Sequence, residues 1–131
     1  MRTVILYFSR TGNTKFMAET IANAIKAPAF DITSSEPSVV EDYDMVILGT
    51  PVEGFRPSKE ALAFAEHLPT TDSKKAILFC TYRLGKGSTF KSLSKALADK
   101  GYNSVLDVSK RAVKIGKTDF SDAIKEIQKV L

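Results

Sequence analysis

A chain of 131 residues has the size of one compact domain and can bury a core without disulfides or a structural metal. Its hydrophobic content of 44% and charged content of 26% exclude a disordered or fibrous chain. One cysteine (Cys80) and one histidine (His67) exclude a disulfide framework, a CxxC motif and a transition-metal cluster, and 19 Lys and Arg against 15 Asp and Glu, a formal +4, favour an anionic ligand or partner.

The first apolar run, residues 2–8, reads as a buried strand. From Asn13 the spacing changes to Met17, Ala18, Ile21, Ala22 and Ile25, one apolar face of a helix that Pro28 stops. Residues 29–32 form a short second strand. Residues 33–42 carry turn and cap residues and read mostly as loop, with Val39 and Val40 offering a small apolar contact. Residues 44–49 contain Met45-Val46-Ile47-Leu48, a continuous run suited to a central parallel strand covered on both faces. Pro57 fits the first turn of the next helix, whose buried stripe is Ala61, Leu62, Ala65 and Leu68.

Residues 75–80 form another buried strand, followed by a helix with Phe90, Leu93, Ala96 and Leu97 inward and a left-handed cap at Gly101. Residues 103–108 make a more polar strand of the kind found at a sheet edge, and Phe120, Ala123, Ile124, Ile127 and Leu131 make the last helix amphipathic. The alternation predicts an α/β fold: a three-layer, doubly wound, five-stranded parallel sheet with its ligand site beyond the carboxyl ends of the strands. That directs attention to the loops leaving Phe8, Gly49 and Cys80. No apolar run reaches the length of a bilayer span and Met1-Arg2 opens no signal-peptide pattern, so a cytoplasmic protein without membrane contact is the expectation.

The first loop, Ser9-Arg10-Thr11-Gly12-Asn13-Thr14, runs directly from strand into helix. Its backbone N–H groups converge with the unsatisfied donors of the helix start, which suits a phosphate. Ser9, Thr11, Asn13 and Thr14 each add a side-chain donor, and Gly12 permits close approach of the backbone. A capped helix start with no ligand uses the same residue types.

Together with Tyr7 and Phe8, this loop resembles the S/T-x-T-G-N-T phosphate loop of flavodoxins and flavodoxin-like oxidoreductases, and the likeness extends over essentially the whole chain. The resemblance implies strand order 2-1-3-4-5 and a bound flavin mononucleotide (FMN). It also implies a second flavin loop, Gly49-Thr50-Pro51-Val52-Glu53-Gly54-Phe55-Arg56-Pro57, and a third, Cys80-Thr81-Tyr82-Arg83-Leu84-Gly85-Lys86-Gly87, which would grip the isoalloxazine ring. Tyr82 and Phe55 are the candidates to stack on it. Relatives often carry an aromatic such as Trp where this chain has Glu53; a carboxylate there disfavours a reduced, anionic flavin, whereas Arg10, Arg56, Arg83 and Lys86 favour it.

The expected function is electron transfer or a small oxidoreductase activity in which the chemistry lies on the flavin and no protein acid or base is needed. Many electron-transferring flavodoxins are acidic, so the positive charge here implies a redox partner with an acidic face. The alternative is an interaction module of the same fold with weak or no FMN binding. A third option, direct reduction by a nicotinamide donor, requires that donor to approach an exposed ring from solvent. Nucleic acid is set aside for want of a basic block or a recognised motif. Gly85-Lys86-Gly87-Ser88-Thr89 lacks the spacing of a triphosphate loop, and Lys86 stands where a phosphatase would need Arg after its cysteine. A receiver domain needs acidic residues where Phe8-Ser9 and Gly49-Thr50 stand. Cys80 reads as a buried, inert thiol and His67 as a capping or surface residue.

Overall fold

The computed structural model describes residues 1–131. Six strands and four helices follow in the order β1 (Thr3–Tyr7), α1 (Asn13–Ile25), β2 (Ala29–Asp31), β3 (Met45–Glu53), β4 (Arg56–Pro57), α2 (Lys59–Glu66), β5 (Lys74–Tyr82), α3 (Thr89–Ala98), β6 (Tyr102–Arg111) and α4 (Ser121–Val130). Five of the strands form a parallel sheet in the order β2-β1-β3-β5-β6, while the two-residue β4 turns back antiparallel onto the end of β3. With β4 left aside this is the order 2-1-3-4-5.

Because side chains alternate across a strand, each strand feeds two cores. Val4, Leu6, Val46, Leu48, Ala76 and Leu78 face α2 and α3, packing on Ala61, Ala65, Leu93 and Leu97. Ile5, Tyr7, Met45, Ile47, Ile77 and Phe79 face α1 and α4, packing on Met17, Ile21, Ala123 and Ile127. A continuous apolar run is therefore required of β1, β3 and β5, and the edge strand β6, covered less, alternates exposed and at least half-buried positions from Tyr102 to Val108.

Three local expectations are corrected. Residues 33–42 are not mostly loop: Ile32–Ser34 and Pro37–Asp42 form 3₁₀ turns, the first held by Asp31, whose carboxylate accepts the Thr33 N–H at 2.9 Å, and Val40 is fully buried. Pro57 is not in the first turn of α2 but in β4, just before the N-cap Ser58, where its missing N–H is harmless in so short a strand. Strands β3, β5 and β6 also run past the ends of their apolar segments, because the pairings Pro51 with Thr81 and Tyr82 with Arg111 continue the ladder into polar sequence. These extensions lift the second and third loops to the level of the first.

Candidate functional site

At the carboxyl end of β1 the chain passes through Ser9, Arg10 and Thr11 to Gly12, which adopts φ 106° and turns the backbone into α1. The Ser9 hydroxyl oxygen accepts two backbone protons, from Gly12 at 3.1 Å and Lys15 at 3.0 Å, and so shapes the loop while its own proton stays free. The N–H groups of Arg10, Thr11, Asn13 and Thr14 have no acceptor within the chain. Asn13 and Thr14 are buried residues, so unpaired donors there are costly unless a ligand meets them. Four unpaired N–H groups at a helix N-terminus, three of them on residues that line a cleft, fit the phosphate of an FMN.

A cleft of about 190 Å³ opens beside this loop, lined by Arg10, Thr11, Asn13, Pro51, Val52, Thr81, Tyr82, Arg83, Ala112 and Val113. It joins all three predicted loops. Larger hollows exist elsewhere: one of about 540 Å³ at the opposite end of the sheet beside Arg2, Lys26 and Tyr43, and a groove of about 630 Å³ between α2 and α3. Neither is lined by Thr11 or Asn13 of the first loop, whereas the small cleft is lined by both together with residues at the ends of β3 and β5, so placement rather than volume selects it.

Of the other predicted residues, Thr50, Gly54, Phe55, Gly85 and Gly87 stand around the cleft rather than in it. Thr50 is fully buried and its hydroxyl is spent on holding the second loop to the start of α2, accepting the Ser58 N–H at 3.0 Å and meeting the Ser58 Oγ at 3.2 Å. Gly54 and Phe55 occupy the turn between β3 and β4, both with positive φ (61° and 63°), the geometry of a tight type I′ hairpin. Phe55 is 53% exposed, and its ring lies 3.6 Å from where a Cβ on Gly85 would stand. Gly87 packs against the Phe55 backbone, where any side chain would collide with the Phe55 carbonyl oxygen. The second and third loops thus support one another. Tyr82 lines the cleft, half-buried, with its carbonyl accepting the Ala112 N–H at 2.9 Å.

Arg10 turns its guanidinium away from the cradle. Nε and Nη2 donate to the two oxygens of Glu53 at 2.5 and 2.9 Å, Nη2 also reaches Glu60 at 2.9 Å, and the group lies 4.9 Å from the centre of the Phe8 ring. The hydrogen bonds to Glu53 and then Glu60 hold Arg10 more firmly protonated than usual. The Glu53 carboxylate is therefore matched by a cation from the first loop. Cys80 lies within the buried part of β5; burial pushes its thiol up to about 12, opposite to what a nucleophile needs. His67 caps the carboxyl end of α2, with Nδ1 2.7 Å from the Ala63 carbonyl oxygen.

Sequence reasoning missed a fourth wall. After β6, Ala112 and Val113 line the cleft, the Val113 carbonyl accepts from Asn13 Nδ2 at 3.3 Å, and Ile115 lies against Gly12. The only trace of this in the sequence is two apolar residues, Val113 and Ile115, set in a stretch otherwise made of Lys and Gly.

No helix is long and apolar enough to cross a membrane. A family profile described as Flavodoxin domain matches residues 4–114. The chain is 32% identical over 105 residues to a flavodoxin of Megasphaera elsdenii, covering 74% of this chain and 77% of that protein. In structure it is similar to oxidised flavodoxin 1 of Bacillus cereus, with a TM-score of 0.80, 28% identity and coverage of 100% and 99% of the two chains. It also shares the fold of two-electron reduced Megasphaera elsdenii flavodoxin, with a TM-score of 0.75, 22% identity and coverage of 97% and 98%. The fold, the phosphate-loop geometry and these matches agree: the chain belongs to the flavodoxin family of FMN-binding proteins.

Proposed function

We propose that this chain is a cytoplasmic electron carrier that holds one FMN. The phosphate would rest on the N–H groups of Arg10, Thr11, Asn13 and Thr14, assisted by the Ser9 and Thr11 hydroxyls and by Gly12, whose left-handed φ turns the backbone into α1. Pro51 and Val52, with the Thr50-anchored turn through Glu53, Gly54 and Phe55, would flank one side of the ring. Tyr82, Arg83, Gly85 and Gly87 would flank the other, with Tyr82 as the stacking face, while Thr81, 4% exposed, turns its hydroxyl to Thr14. When bound, the flavin supplies one- or two-electron chemistry. The residues around it bind, orient and set the local field. The observation that carries this reading is the cluster of four unpaired N–H groups, two of them on buried residues, at the start of α1.

The cleft is smaller than sites that enclose a drug-sized ligand, so much of the ring would stand where a partner protein can reach it. On the loops after β5 and β6, Leu84 is 86% and Ile115 56% exposed, Val113 is also exposed, and the same two stretches carry the exposed Arg83, Lys86, Lys114 and Lys117, with Arg111 exposed at the end of β6. Exposed apolar residues interspersed with cations fit a redox partner with an acidic face.

Binding of FMN and of riboflavin, which lacks the phosphate, tests the reading. Wild-type protein should prefer FMN, and Thr11→Glu, which places a carboxylate against the cradle, should abolish that preference. Equal affinity for the two flavins in the wild type would contradict it.

A further inference from the structure

Thr14 and Thr81 lie on different elements, one in the first turn of α1 and the other near the end of β5, yet their hydroxyl oxygens are 2.7 Å apart. Both residues are almost wholly buried, 1% and 4% exposed. Two touching hydroxyls own two protons, and their contact uses only one. The second must point out of the pair.

Which proton is free depends on direction. If Thr14 donates to Thr81, the cradle receives only the lone pairs of Thr14, which an anion cannot use. If Thr81 donates to Thr14, the Thr14 proton is left for the cradle, beside its own unpaired N–H. A phosphate ester dianion only accepts hydrogen bonds, so it selects the second direction. A hydroxyl that accepts one hydrogen bond is also a stronger donor of another.

We propose that Thr81 is a positioning residue for the phosphate seat: by donating to Thr14, it aims the Thr14 hydroxyl proton at the bound phosphate. This rests on the FMN reading and deepens it, because it assigns a residue of the third, ring-gripping loop to the opposite end of the ligand. Thr81 would act only through Thr14 and would be silent toward a ligand without a phosphate.

The test is a double-variant cycle of Thr14→Val and Thr81→Val, with affinities measured for FMN, riboflavin and inorganic phosphate and folding checked by circular dichroism. Thr81→Val should weaken FMN about tenfold, as expected for disturbing a hydrogen bond to a charged group, with riboflavin changed less than about twofold. Thr81→Ser keeps the hydroxyl and should restore FMN affinity. In the Thr14→Val background, Thr81→Val should cost nothing further. Equal losses for FMN and riboflavin, or a full additional loss in the double variant, would overturn the proposal. If Thr81→Val does not fold, Thr81→Ala and Thr14→Ala complete the same cycle. A wild type that binds inorganic phosphate but not FMN would overturn the flavin reading alone, the phosphate arm still deciding the role of Thr81; a wild type that binds neither overturns both.

Discussion

Two glycines near the cleft are required for different reasons, and their alanine variants should separate them. Gly12 has φ 106°, and a Cβ there would lie 2.6 Å from Ile115 Cδ1. Ile115 is exposed and can swing aside, whereas the left-handed backbone cannot be relieved. Gly12→Ala should therefore lose about 1–2 kcal/mol of stability in urea unfolding, and adding Ile115→Ala should restore little of it. Gly49 has no such backbone demand, but a Cβ there would lie 2.0 Å from the fully buried Phe79 ring, which has nowhere to go. Gly49→Ala should cost about as much as severe overpacking, at least 1–3 kcal/mol. Cys80 gives a pH signature. Its thiol titrates near 9.0 when unfolded and about 12 when folded, so its contribution to stability is complete below pH 9 and is lost as pH rises through 12. Alkylation at pH 8 should be slow in the folded protein and fast in urea; rapid alkylation of folded protein would contradict the burial.

The elements around the cleft are positioned by short polar contacts that sequence patterns show only in part. Ser58 starts α2 by accepting the Ala61 N–H at 3.0 Å, and it is itself held by Thr50. Ser58→Ala should cost about 1–2 kcal/mol, measured as a lower urea midpoint with unchanged slope, because it removes a buried cap. The run Met45-Val46-Ile47-Leu48 and the stripe Met17, Ala18 and Ile21 revealed their strand and helix because burial on two faces or on one leaves a period in the sequence. The phosphate loop was legible for a similar reason: glycine, hydroxyls and an amide at a strand-to-helix junction are dictated by local backbone chemistry. The role of Pro57 was not legible, because it depends on a two-residue strand that exists only where β3 overruns its apolar segment. Nor was the pairing of Arg10 with Glu53 and Glu60, or the closure by Ala112 and Val113. These contacts join residues 43 to 100 positions apart, and no local pattern records them.

For the molecule as a whole, the net charge of +4 matters most where it gathers, on the loops after β5 and β6 around the exposed Leu84. Association with an acidic redox protein should slow as salt rises from about 0.01 to 0.15 M, over which the screening length falls from about 30 to 8 Å. Charge reversal at Arg83 and Lys114 should flatten that dependence in stopped-flow measurements. A salt-independent rate in the wild type would place the contact on another face. All of these expectations depend on a flavin being present in the cleft. The most direct measurement is a titration of the flavin-free protein with FMN, followed by visible absorption and flavin fluorescence. The account predicts saturable spectral changes at about one FMN per chain, as one cradle of donors requires. An unchanged flavin spectrum at high micromolar FMN, with the protein folded, would contradict it.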